Sequence, residues 1–278
     1  MAIVTFSSDF SNQNYLVGAV KGILLQTNPN FNIVDISHQL SSFNYPQSAY
    51  LIRTGILHFP KETFHLLLLN LFDEHSNHLL LAHVNNQYIG CADNGLLPMI
   101  FEELNNAIVV ALPIDNQEPK TTLYFTRVIA HAFNNLQKGT PIEKLGKPVV
   151  PKSKGTFPTF EKDNGIDGQI IFIDNFENVV VNITREVFEA KRKGRKFSII
   201  LKGNEVIDKI SETYADVPEG EKLALFNSAG FLEIAINKGN AAGLLGLQLF
   251  SEKEIQLVQQ TTMQRNLLYQ TVKIFFGD

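Results

Sequence analysis

Short apolar runs alternate with amphipathic segments through the first half of the chain. Ile3-Val4-Thr5-Phe6 reads as a strand and leads into Leu16 to Gln26, whose apolar positions recur at helical spacing. Asn32-Ile33-Val34-Asp35-Ile36 is a second strand. The helix after it has a legible start: Asn44 is placed to cap it, Pro46 stands just inside, and Tyr50, Leu51, Ile52 and Ile56 supply its apolar residues. His58, Phe59 and Pro60 end it. Further strands are expected at Phe64 to Leu69, Leu79 to His83 and Ala107 to Leu112, with helices after Gly95 and from Thr122 to Leu136. This alternation predicts an α/β domain built on a central, mostly parallel sheet.

Past Leu145 the texture changes. Gly146 to Phe160 holds Pro148, Pro151, Gly155, Pro158 and several lysines without a sustained period, and reads as a linker. Short β-type runs follow at Gly168 to Ile173, Val179 to Ile183, Phe197 to Leu201, Leu223 to Phe226, Leu232 to Ile236 and Gln270 to Phe276. Divided by Gly, Asn and Asp, they predict a C-terminal antiparallel β-barrel domain. The expected boundaries are 1–150 and 151–278.

Composition narrows the classes of function. The 278 residues carry 24 Lys+Arg against 28 Asp+Glu, a formal net charge of −4, so the cationic excess of a nucleic-acid binder is missing. One cysteine, Cys91, makes no internal disulfide, and no apolar run approaches the ~18 residues that span a bilayer. With a first stretch, Met-Ala-Ile-Val-Thr-Phe, that lacks a basic region and a long apolar core, the expectation is a cytoplasmic protein without signal peptide, membrane or nucleic-acid partner.

Asp9 follows a strand in Ser7-Ser8-Asp9-Phe10 and precedes a polar turn and a helix. Open α/β sheets bind ligands at such strand ends, and one carboxylate accepts bonds from both hydroxyls of a ribose; the other reading is a cap for the following helix. His38 reads either as a base or as a residue that orients its loop. Asp73-Glu74-His75-Ser76-Asn77-His78 clusters possible metal ligands, but its spacing matches no standard site and a solvated loop is the expectation. Lys191 to Lys196, five cations around Gly194, reads as an exposed turn between strands, with anion binding as the alternative. Gly239, Gly243 and Gly246 fit no phosphate-binding spacing.

Ser8-Asp9-Phe10 with Val17-Gly18-Ala19-Val20-Lys21-Gly22, Asp35-Ile36-Ser37-His38, Ala92-Asp93-Asn94-Gly95-Leu96, Asp174-Asn175-Phe176-Glu177-Asn178, and the run from Asn227 to Asn237 resemble, in order, the S-adenosylmethionine (SAM) hydroxide adenosyltransferase family. The adenosyl-fluoride and adenosyl-chloride synthases belong to the same superfamily. The resemblance implies an α/β domain, a β-barrel, and a homotrimer whose sites lie between the N-terminal domain of one subunit and the C-terminal domain of its neighbour. SAM is then a substrate, with no cofactor or metal. It places Asp9 on the ribose diol, Phe43 against the sugar, and Asn178, Asn237 and Tyr214 on the adenine. Asp174 and Ser228 fall on the methionine part, Phe176 on a further ligand-binding position, and Asn14 where an Asp is usual.

The same resemblance exposes departures. Hydrolytic members hold the attacking water with an Asp, an Arg seven residues on, and a His; here those positions fall on Asn70, Asn77 and Tyr124. Asp73 or His75 is left to replace a missing partner. Fluoride synthases carry an insertion where Val84-Asn85-Asn86 forms a tight turn here, and a tyrosine at the place of Asn70, so halide transfer is not expected. The sequence therefore predicts a slow SAM hydrolase yielding adenosine and methionine, or else a trimer that binds or senses SAM or adenosine without turnover.

Overall fold

The structure is a computed structural model that describes residues 1–73, 77–101, 104, 106–155, 159–201, 205–247 and 271–277. The chain divides into two compact units, Met1–Thr156 and Phe157–Asp278. In the first, the strands are β1 (Ala2–Ser8), β2 (Phe31–Ser37), β3 (Phe64–Leu68), β4 (His78–Val84), β5 (Gln87–Ala92), β6 (Ile108–Pro113) and β7 (Lys147–Pro148). The helices are α1 (Tyr15–Thr27), α2 (Tyr45–Ile56), α3 (Leu96–Ile100) and α4 (Thr122–Gln137).

These strands form one sheet in the order β2-β1-β3-β5-β4-β6-β7. Its centre, β2-β1-β3-β5, is parallel, and β4, β6 and β7 add antiparallel pairs on one side. The near-continuous apolar run of β3 is that of a strand covered on both faces. Phe64, Leu66 and Leu68 share a core with Leu24 of α1 and Phe133 of α4, whereas Leu67 packs with Ile52 of α2 and Leu97 of α3. α4 lies so close to β5 that a Cβ on Gly90 would stand 2.3 Å from Ile129 Cγ2, which is why that position has no side chain. Asn85 and Asn86, both at positive φ, turn β4 directly into β5.

From β1 the chain passes to β2 on one side and then to β3 on the other. This reversal leaves a crevice at the carboxyl ends of β1 and β3, where open α/β sheets take ligands.

The second unit contains β8 (Phe160–Lys162), β9 (Gly165–Ile173), β10 (Val179–Thr184), α5 (Arg185–Arg192), β11 (Lys196–Ile200), β12 (Val206–Ile207), β13 (Lys222–Phe226), β14 (Phe231–Ile236), α6 (Ala241–Leu244) and β15 (Thr271–Gly277). The strands pair in the order β12-β11-β15-β9-β10-β14-β13, with β8 beside β9, and the ladders are antiparallel. A bridge between Ile210, just past β12, and Ala224 of β13 brings the two ends together into a nearly closed barrel.

One expectation is corrected here. The basic run is not a turn between strands: Lys191 and Arg192 end α5, and only Lys193 and Gly194, both at positive φ, make the turn into β11. Thr184 caps that helix through Val187 N, and Phe188 buries its apolar side. The Arg192 and Arg195 guanidinium groups lie 5.0 Å and 5.3 Å from the Phe197 and Phe276 ring centroids, so the cations cover aromatic faces. Among the described residues, no helix is long and apolar enough to cross a membrane.

Candidate active site

At the crevice of the first unit, Asp9 is the residue directly after β1. It does not cap α1; Asn14 does, accepting from Leu16 N at 3.1 Å. Asp9 Oδ2 instead accepts the Asn70 N–H at 2.8 Å, across from the end of β1 to the end of β3. Asn70 has φ +46°, a left-handed conformation that Asn tolerates better than most residues and that turns the chain out of the sheet. Its amide Nδ2 donates to Tyr45 Oη at 3.0 Å and to Ser42 O at 3.4 Å. A carboxylate has no N–H to give those acceptors, so the amide is integrated into the fold.

The Asp93-Asn94-Gly95 segment knits the neighbouring chain together. Buried Asn94 donates to Leu69 O at 2.9 Å and Asn70 O at 3.3 Å, which fixes the end of β3. Asp93 Oδ1 accepts from Lys152 N at 2.8 Å, and its Oδ2 stands 3.2 Å from His78 Nε2. Gly95 has φ +89°, and a Cβ there would meet Lys154 Cγ at 2.7 Å and Lys154 N at 3.1 Å. The 152–154 backbone thus lies against this loop. Lys154 reaches back to Asp73 in an ion pair, with its Nζ 4.8 Å from the Tyr45 ring centroid. Burial pushes the Tyr45 phenol above its usual range, and the Asn70 bond and the Lys154 charge oppose that only in part.

His38 takes the orienting role. Its Nδ1 lies 2.8 Å from Ser8 Oγ, its Nε2 3.1 Å from Asp35 Oδ1, and its carbonyl accepts the Ser11 N–H at 2.7 Å. Only 4% exposed, the ring braces the turn that carries Asp9. Phe43 is 40% exposed at the same end of the sheet.

The second unit carries another polar cluster, in the β9–β10 turn. Asp174 Oδ1 accepts from Phe176 N at 2.8 Å and Asn178 N at 2.9 Å, and its Oδ2 from Asn178 Nδ2 at 3.1 Å. The turn projects Phe176, 78% exposed, while Asn178 is buried. Tyr214 Oη donates to Glu233 Oε1 at 2.6 Å; this carboxyl is buried in β14 and pushed above the usual range by that burial, with the Asp174 charge adding to the effect. Asn237 Nδ2 donates to Val217 O at 2.8 Å, and Ser228 is exposed in the turn before β14.

Of the three positions where the resemblance expects a water-holding set, only Asn70 joins the cluster at Asp9. Asn77 is exposed just before β4, and the Tyr124 hydroxyl, in the first turn of α4, accepts from Asp115 N at 2.7 Å. His75 lies outside the described residues. Among the described residues no group of three or more His, Cys, Asp or Glu side chains is placed to hold a metal ion.

A family model described as the SAM hydroxide adenosyltransferase N-terminal domain matches residues 4–146, and its C-terminal counterpart matches residues 168–254. The chain belongs to the SAM hydroxide adenosyltransferase family. It is 26% identical over 265 residues to the (R)-S-adenosyl-L-methionine hydrolase of Methanocaldococcus jannaschii, covering 91% of this chain and 95% of that protein. It is 28% identical over 276 residues to the fluorinase of Nocardia brasiliensis, covering 86% and 92%. A crystal structure of an uncharacterized conserved protein from Thermotoga maritima superposes with a TM-score of 0.78 at 24% identity, over 98% of this chain and 99% of that one. Within this SAM hydroxide adenosyltransferase fold, reasoning from sequence missed Tyr45, Asn94, Lys154 and Glu233. Asn94 and Glu233 stand in the quoted motifs without a signal of their role, Tyr45 lies between the Asn44 cap and Pro46, and Lys154 falls in the linker stretch.

Proposed function

We propose that this protein transfers the adenosyl group of SAM to water, releasing adenosine and methionine. The observation that carries the reading is the Asp9 carboxylate at the strand crossover of an adenosyltransferase fold, joined to Asn70 across the crevice. In this reading Asp9 holds the ribose diol and Phe43 lies on the sugar. Asn178, Asn237 and Tyr214 receive the adenine, for an amide offers a base edge both donor and acceptor and a ring offers a stacking face. Asp174 and Ser228 complete the methionine side, Phe176 is a further ligand contact, and Asn14 holds the turn beside Asp9. The active assembly is a homotrimer in which neighbouring subunits supply the two clusters; the solvent-facing Phe43, Phe176 and Tyr214 support this. Halide is not the nucleophile, since β4 and β5 are joined by Asn85-Asn86 alone.

The test is incubation with each sulfur epimer of SAM, and chromatography for adenosine and methionine. The epimer in the name of the Methanocaldococcus relative is expected to be consumed; no adenosine above the protein-free control over hours overturns the reading. A second reading, binding without turnover, is favoured by the occupied Asn70 amide and by the Tyr124 hydroxyl's engagement with Asp115 N. Calorimetry separates the two: adenosine bound tightly while SAM stays intact supports the second.

A further inference from the structure

Building on the proposed hydrolysis, we infer that Asp73 accepts the proton of the attacking water and that Lys154 is its positioning residue. When water attacks the 5′ carbon of SAM, a C–O bond forms and the C–S bond breaks, its electron pair staying on the methionine sulfur. One proton must then leave the water oxygen. Asn70 and Asn77 have no ionisable group to take it, and the Tyr124 hydroxyl is engaged by the Asp115 N–H.

Three carboxylates stand just past the ends of β1, β3 and β5. Asp9 accepts from Asn70 N and is taken up by the ribose diol in the proposed reading, and Asp93 is 4% exposed between Lys152 N and His78. Asp73 remains: it is a third exposed, so it can pass a proton on to solvent, and its backbone N–H bonds to Asn70 O at 3.4 Å. Four separate stretches of chain build its surroundings, around Tyr45, Asn70, Asp93 to Gly95 and Lys152 to Lys154. Lys154 binds it from 81 residues away, lying over Tyr45, whose hydroxyl accepts from Asn70; the Asp93–Lys152 bond and the bare Cα of Gly95 seat Lys154 in turn. An ion pair between groups this exposed is worth only ~0–1 kcal/mol, so stability gives little reason for such a construction. Positioning does. Because the pair has no net charge, Lys154 does not repel the incoming sulfonium.

Asp73→Asn should lower kcat by ~10²–10⁴-fold, the usual worth of a general base, while the calorimetric affinity for adenosine stays within twofold. In Asp73→Ala, added formate should restore part of the rate, which a merely structural carboxylate would not allow. Lys154→Met should lower kcat on the order of 10–10²-fold without weakening adenosine, and Lys154→Arg should recover most of it. Wild-type turnover together with an Asp73→Asn rate within twofold of it overturns the assignment alone. Absence of adenosine from the wild type overturns the hydrolysis reading and this one with it.

Discussion

At the ends of β1 and β3, side chains from five stretches of sequence bond to one another, whereas in the β9–β10 turn of the second unit Asp174 and Asn178 bond mainly to each other and to their own backbone. Each arrangement has a consequence. Long-range ties fix the relative positions of groups that must act on one atom. A local Asx turn needs nothing beyond its own residues, and it leaves Phe176 facing outward as a ready contact surface. Under the proposed function, the first cluster carries the chemistry and the second the recognition. Replacements at Asp73 or Lys154 should therefore move kcat, and those in the turn should move ligand affinity.

The largest test falls on Asp9, which belongs to the first cluster but is read as a recognition group. Removing the carboxylate loses two charge-assisted bonds to the ribose, each worth ~1.5–3 kcal/mol, so Asp9→Ala should weaken adenosine by ~10²–10⁴-fold. 2′-Deoxyadenosine sharpens the point. Wild type should discriminate against it, and Asp9→Ala should bind both nucleosides alike in calorimetry. If the variant keeps the wild-type discrimination, the diol is held elsewhere and the division between clusters needs redrawing.

Acid separates the two units in a second way. Burial pulls His65 down to about 4 from an ordinary 6.5, so the folded first unit resists its protonation and the unfolded chain does not. Its contribution is complete above pH 6.5 and is lost as pH falls towards 4, in total ~3 kcal/mol. Glu233 has the opposite sign. Its raised carboxyl favours the fold below the ordinary carboxylate range and loses that contribution as pH rises through its folded value. Between pH 7 and 4.5, thermal unfolding should show the first unit weakening. His65→Gln should remove most of that dependence; an unchanged profile in the variant would assign the loss to other groups.

The longer strands and the helices of the first unit were legible because burial on one or both faces writes itself into the apolar period: β3 reads as a continuous run, and Asn85-Asn86 as a turn that needs positive φ twice, whereas β7, β8 and β12, two or three residues each, leave no period. α5 escaped because Phe188 is its only fully buried residue in eight, and the cations that end it look like a loop. The site was legible by position and opaque by partner. Asp9 and Asn70 could be placed at strand ends, yet nothing local shows that the amide of Asn70 faces Tyr45 and Ser42. Lys154 is harder still. Its partner lies 81 residues away, and its position depends on Gly95 having no side chain. Long-range pairing of this kind leaves no period to read.

The smallest effect is the finest probe of the comparison. In the second unit Tyr214 presents a ring that is 43% exposed and a hydroxyl that donates to the buried Glu233. If recognition there works by surface, ring and hydroxyl do separable work. Tyr214→Phe should cost this unit ~1–2 kcal/mol of stability, because a buried carboxyl loses its donor, and should leave adenosine affinity within about threefold. Tyr214→Ala should lose a further ~0.5–1.5 kcal/mol of binding with the stacking face. Denaturant unfolding and calorimetry on the two variants give both readouts. A Tyr214→Phe variant of wild-type stability that binds adenosine more than tenfold weaker would put a specific polar contact where the comparison places only a surface, and the contrast between the two clusters would fail.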